Sequence, residues 1–185
     1  MNTHICPWWM GYLLLLPVRK LVHNPEKMLR KYIKPGMTIV DYGSAMGYFS
    51  LPLAKMTGNS GKVYCFDIQE KMLKKLKIRA EKAKVEHIIR PILISENEDT
   101  FSQVPEPIDF TLLFAVVHEV PDKQHLFTKL AEIMKAGGYL LFAEPSGHVG
   151  SASFEESVAF SEKAGFEKLQ DLNIKRSYAV LLKKV

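Results

Sequence analysis

Cysteine is scarce in this chain. Cys6 and Cys65 are the two present, too few for a disulfide framework or a structural zinc site, so a reducing cytoplasm is the expected setting. His4 and Cys6 offer a metal two donors and no more, and no metal is expected. Long hydrophobic runs are missing as well. The most apolar stretch, Ile5 to Val18, has 14 residues, short of the ~18–20 that a bilayer-spanning helix needs. It carries neither the basic leader nor the small-residue cleavage site of a signal peptide. No G-x-x-x-x-G-K-[ST] run occurs, which excludes a P-loop. No internal repeat or low-complexity segment divides the chain, and 185 residues suit one domain. Basic runs interleaved with aromatics are absent too. The net charge of +5 therefore reads as solvated helix faces, such as that of Lys71, Lys74, Lys75 and Lys77, and nucleic acid is not an expected partner.

What is present is an ordinary globular balance, 47% hydrophobic and 24% charged, organised around Met37 to Tyr48. The β-branched run Thr38-Ile39-Val40 reads as a strand. Asp41 follows, then Gly43 and Gly47 bracketing Ser44, Ala45 and Met46, then a helical pattern from Tyr48. Strand, tight turn and helix in that order predict a seat for a nucleotide-type cofactor. Glycine lets a ligand approach the backbone closely, and a helix start offers free N–H groups. The spacing is not the G-x-G-x-x-G of dinucleotide binders.

The rest of the chain alternates in the same sense. Asn24-Pro25 reads as an N-cap with proline at the first helical position, and Lys34-Pro35-Gly36 ends that helix. Lys62 to Asp67 is a strand ending in an acid that lies 20 residues past Gly47, close to the spacing at which an acid meets a ribose in Rossmann-like folds. The alternative, less favoured, is that Asp67 merely caps the amphipathic helix 69–82. Residues 87–94 read as a third strand, near a sheet edge because Pro91 cannot donate to a ladder. Residues 108–117 are almost uninterruptedly apolar, as suits a central parallel strand buried on both faces. His118 and Glu119 follow at its carboxyl end, where open α/β sheets bind ligands. A helix over 123–135, a fifth strand over 139–143 leading to Glu144, a helix over 153–164 and a hairpin of 166–174 with 177–183 complete the reading. Cys65, in mid-strand, reads as an inert core residue.

Asp41-x-Gly43-x-Ala45-x-Gly47 resembles the first motif, [DE]-x-G-x-G-x-G, of the class I S-adenosylmethionine-dependent methyltransferases. Ala45 stands where the middle glycine usually does. The acid after the second strand, the motif after the fourth, and the step Leu130-x-x-Ile133-Met134-Lys135-Ala136-Gly137-Gly138 recur in the family's order. The likeness covers residues 25–185 and is nearest to the small, insertion-free members, among them quinone-biosynthesis and metalloid methyltransferases. It implies an α/β fold: a Rossmann-like, mostly parallel seven-stranded sheet in the order 3-2-1-4-5-7-6, with helices on both faces. It also implies S-adenosylmethionine as cofactor and S-adenosylhomocysteine as product. By the same likeness the cofactor is held by Asp41, Gly43, Ser44, Ala45, Gly47, Tyr48 and Phe49, and by Asp67 with Ile68 and Gln69. Glu96 and Asn97 would meet the adenine, and Phe114 and Ala115 the reacting end.

The expected enzyme is a methyltransferase acting on a small or lipophilic acceptor, with His118 as candidate base and Glu119 and Glu144 as lesser candidates. The fourth motif is not the [DNS]-P-P-[FY] form that acts on nucleobase and glutamine amides. Residues 1–24, with Trp8 and Trp9, form a separate N-terminal segment. Three fates are open to it: a lid over the cleft, a homodimer contact, or an anchor on a membrane surface. A non-catalytic cofactor-binding module and an RNA methyltransferase stand as alternatives. A nicotinamide oxidoreductase is disfavoured, since Tyr-x-x-x-Lys is missing.

Overall fold

A computed structural model describes residues 19–95 and 99–185. The element order is α1 (Arg19–Val22), α2 (Pro25–Leu29), β1 (Thr38–Tyr42), α3 (Ser50–Thr57), β2 (Lys62–Asp67), α4 (Glu70–Lys82) and β3 (Ile89–Leu93). It continues with β4 (Ile108–Phe114), α5 (Lys123–Ile133), β5 (Met134–Pro145), α6 (Ser151–Lys163), β6 (Phe166–Asp171) and β7 (Ser177–Lys184). Single 3₁₀ turns cover Thr100–Gln103 and Val117–Glu119.

The seven strands form one sheet in the order β3-β2-β1-β4-β5-β7-β6. The first four pairings are parallel and those made by β7 antiparallel. This is the order that the family likeness implies. Parallel neighbours need crossovers, and α3, α4 and α5 supply them. β3 is an edge strand, so Pro91, opposite Cys65, removes a donor where no further strand would use it.

Strand periodicity divides the core. Ile39, Phe110, Leu112 and Leu141 face Leu29, Leu53 and Leu76 from α2, α3 and α4. Val40, Leu113, Leu140 and Phe142 face Leu126, Phe127, Phe154 and Val158 from α5 and α6. With both faces covered, the central strands are apolar at nearly every position. Asn24 caps α2 as expected, its Oδ1 accepting from Lys27 N–H at 3.1 Å.

Among the boundaries that differ from the sequence reading, two bear on the site. β4 stops at Phe114, not Val117. Ala115 takes φ 57°, which turns the chain out of the ladder into the 3₁₀ turn. β5 begins at Met134, five residues early, because Met134 is already extended (φ −85°, ψ 142°) and buried. Among the described residues no helix is long and apolar enough to cross a membrane. The lid, dimer and membrane-surface expectations for Trp8, Trp9 and their neighbours lie outside the described residues, as do those for Glu96 and Asn97.

Candidate active site

The turn after β1 is built from backbone hydrogen bonds and from missing side chains. Gly43 and Ser44 N–H both donate to Phe66 O at 2.9 Å, and Gly47 N–H donates to Ser44 O at 2.9 Å. Gly47 has φ 80°, and a Cβ there would lie 2.2 Å from Leu76 Cδ1 and 2.6 Å from Leu51 Cδ1. Its bareness lets α4 close on the turn. A Cβ on Gly43 would lie 2.5 Å from Val116 Cγ2, so the loops after β1 and β4 touch there. Ala45 occupies φ 47°, a left-handed conformation that disfavours a side chain. Arg79 of α4 donates to Met46 O and braces the turn from behind.

Two acids serve this corner. Asp67, at the end of β2, is 7% exposed. Its Oδ2 accepts from Ala45 N–H at 2.9 Å and its Oδ1 from Gln69 N–H at 2.8 Å. It thus ties the glycine turn to the residue that precedes α4. Burial raises its pKa, and the two N–H donors oppose that rise. Asp41 lies deeper, at 3% exposure, and accepts from Ser50 Oγ at 2.5 Å. Burial, with a smaller push from Asp67, lifts its pKa to about 7 against the pull of Ser50 and Arg19.

The third part lies at the ends of β4 and β5. Phe114 and Ala143 are register partners, so the residues after them emerge side by side. Glu144 is buried and takes three donors. Its Oε1 accepts Val117 N–H at 2.7 Å and His118 N–H at 3.2 Å, and its Oε2 pairs with His118 Nδ1 at 2.5 Å. The His118 side chain is 31% exposed, with Nε2 4.0 Å from Glu119 Oε1. The Glu144 hydrogen bond raises the His118 pKa above its ordinary value, ahead of the opposing effect of burial and the smaller help of the Glu119 charge. A carboxylate on Nδ1 fixes the tautomer with its proton on Nδ1 and the Nε2 lone pair outward.

Tyr48, Phe49 and Phe114 form an aromatic cluster beside the turn, with Tyr48 and Phe49 centroids 5.1 Å apart and Phe49 and Phe114 centroids 4.6 Å apart. Ile68 is 45% exposed next to Asp67 in the chain. The fold thus brings together Asp41, the residues 43–49, Asp67, Ile68, Gln69, Phe114, Ala115, His118 and Glu119. It also brings in two residues absent from the sequence-based site, Arg19 and His23, and places Glu144, a lesser candidate base, buried against His118 Nδ1. Register was the available signal for Glu144, since acids and bases that follow neighbouring parallel strands meet.

The corner fits S-adenosylmethionine on its own features. Ser44 Oγ is buried without a hydrogen-bond partner among the described residues, which asks for a polar ligand atom. An acid, Asp67, stands at the second strand's end beside the turn.

Residues 33–176 match the family model described as "Methyltransferase domain". A demethylmenaquinone methyltransferase of Bacillus mycoides is 26% identical over 121 residues, 65% of this chain and 50% of that protein. The chain thus spans about half the length of the curated relatives that it matches first. A ribosomal RNA large subunit methyltransferase E of Neisseria meningitidis is 49% identical over 49 residues, 26% of this chain and 23% of that protein. The crystal structure of a SAM-dependent methyltransferase from Aquifex aeolicus superposes with TM-score 0.84 at 24% identity, covering 98% of this chain and 100% of that one. With the family model spanning most of its length, the chain belongs to the class I S-adenosylmethionine-dependent methyltransferases.

Proposed function

We propose that this protein methylates a small, apolar acceptor whose nucleophilic atom carries a proton, such as a phenol-like hydroxyl or an activated ring carbon. The observation that carries the reading is the His118–Glu144 pair, set one loop contact away from the glycine turn through Val116. S-adenosylmethionine supplies an electrophilic methyl group on a sulfur that departs as a neutral thioether. The protein's main tasks are therefore orientation and proton removal.

Gly43, Ala45, Gly47 and Ser44 hold the amino-acid end of the cofactor in this reading. Asp67 takes the ribose, with Ile68 and Gln69 against the base, while Asp41, Tyr48, Phe49, Phe114 and Ala115 line the path to the methyl group. His118 Nε2 accepts the acceptor's proton. Glu144 keeps the Nδ1 proton in place and offsets the imidazolium charge that develops. Glu119 adds its negative charge beside Nε2. An acceptor without a proton to lose would have no use for such a pair. The demethylmenaquinone methyltransferase relative supports an aromatic, apolar acceptor.

The test uses the full chain, methyl-labelled cofactor and two acceptors, a 1,4-naphthoquinol and total RNA. Label is expected in the quinol, and His118→Ala should cut that rate by about 10²–10⁴-fold, the span of a general base. The ribosomal RNA relative makes RNA the second reading. Label in RNA alone refutes the small-acceptor reading.

A further inference from the structure

Charge is spread unevenly along the chain. Residues 70–84 hold seven of its 25 basic residues and two of its 20 acidic ones. That surplus of five equals the net charge of the whole protein, +5, so the remaining residues are balanced. Arg79 turns inward and donates to Met46 O. Lys71, Lys74, Lys75, Lys77, Lys82 and Lys84 are exposed.

Helical periodicity gathers these lysines. α4 buries Met72, Leu73, Leu76 and Ala80, and Leu73, Leu76 and Ala80 pack into the core on its side of the sheet. Positions three, four and seven apart share a helix face, so Lys71, Lys74, Lys75 and Lys82 surround Ile78 on the side turned away from the sheet. Ile78 is 44% exposed, an aliphatic side chain in the middle of a basic face. Six large apolar side chains are exposed among the described residues, and three of them, Ile68, Ile78 and Leu93, lie between the end of β2 and the end of β3. β3 is the edge strand and Leu93 is the register partner of Asp67, so Leu93 and Ile68 stand together at the carboxyl end of that edge.

An aliphatic group ringed by lysines suits a surface that is anionic outside and apolar just beneath. A bilayer with acidic headgroups is such a surface: each nearby lysine adds attraction, and an aliphatic side chain reaches the acyl boundary. Nucleic acid fits less well. Single strands are held by stacking bases on aromatic rings or guanidinium planes. Residues 68–84 contain no aromatic residue, and the one arginine there, Arg79, is turned inward. We propose that the exposed face of α4, with Ile78 at its centre, docks this protein on an anionic lipid bilayer. An apolar acceptor partitions into a bilayer, so docking would bring the enzyme to it, but the proposal does not depend on the acceptor's identity.

Sedimentation of the full chain with phosphatidylcholine vesicles, with and without about 30% phosphatidylglycerol, tests it at about 0.1 M salt, where the Debye length is about 10 Å. Binding is expected to the anionic vesicles and should fall about tenfold or more without phosphatidylglycerol. Lys74→Gln, Lys75→Gln and Lys82→Gln combined should weaken it about 10²-fold, from about fivefold for each charge near the surface. Glutamine is as good a helix former as lysine, so α4 should persist. Ile78→Gln should weaken vesicle binding about fivefold, since the side chain is already partly buried. Binding of the triple variant equal to wild type would overturn the proposal, as would wild-type protein that stays in solution at millimolar lipid. A single-stranded RNA oligonucleotide bound more tightly than the vesicles, and released by the same triple variant, would make the face a nucleic-acid surface and overturn it as well. None of these measurements needs cofactor or turnover, so their outcome is separate from the methyltransferase reading.

Discussion

Asp41→Asn tests the electrostatics of the cleft most sharply. Asp41 is 3% exposed and its pKa is lifted to about 7 from 3.8, chiefly by burial. The folded protein holds this proton more tightly than the unfolded chain does. Asp41's favourable share of stability is then fully present below about pH 3.8 and disappears as pH rises through about 7. A shift of about 3 units at 1.36 kcal/mol each makes the folded state about 4 kcal/mol less stable at pH 8 than at pH 3.5 on this group's account. Asparagine never ionises, and its Oδ1 can still accept from Ser50 Oγ. Urea melts of both proteins from pH 4 to pH 8 should give similar unfolding free energies at the acid end. The variant should lead by about 2–4 kcal/mol at the alkaline end, once relaxation around the charge is allowed for. Other titrating groups cancel in the difference. A free-energy difference that stays flat across this pH range would refute the reasoning.

Glu144→Gln should keep the backbone hydrogen bonds through its amide oxygen but remove the charge beside Nδ1. The His118 pKa, raised in the wild type, should fall in an NMR titration of the ring, and the acid limb of kcat/KM should move to lower pH with it. An unmoved limb would separate His118 from the rate. Gly47→Ala would force a Cβ to 2.2 Å from Leu76 Cδ1 at φ 80°. It should cost about 2–4 kcal/mol in urea melts, the sum of left-handed strain and overpacking, and a loss below about 1 kcal/mol would contradict the packing described. Ala45→Gly relieves φ 47°. Its gain of about 1 kcal/mol is offset by the entropy of glycine in the unfolded chain, so stability should hold or rise slightly. A clear loss would show that the Ala45 methyl packs usefully.

Much of this architecture is legible before any coordinates, because parallel strands buried on both faces announce themselves. Residues 108–114 and 62–67 are strands in both readings for that reason. The same signal overruns at 115–117. Val117 is buried and looks like strand, and nothing in the letters tells that Ala115 turns left-handed. At the start of β5 the opposite occurs. Gly137-Gly138 marks a turn so strongly that the extended Met134 before it reads as the last turn of α5. The candidate site divides likewise. The glycine turn and Asp67 are local patterns, readable from spacing. The partnership of His118 with Glu144 spans 26 residues and exists only because β4 and β5 are neighbours. Arg19 reaches Tyr48 and Phe114 through a contact between distant segments that no periodicity encodes.

Amide mapping by ¹⁵N NMR asks directly whether the ends of β1, β2 and β4 form one cofactor seat. On adding S-adenosylhomocysteine, the largest shifts should fall on Gly43 to Phe49, Asp67 to Gln69, and Phe114 to Ala115. The α5–α6 face should stay still. Shifts centred on that other face, or none at millimolar ligand, would contradict it.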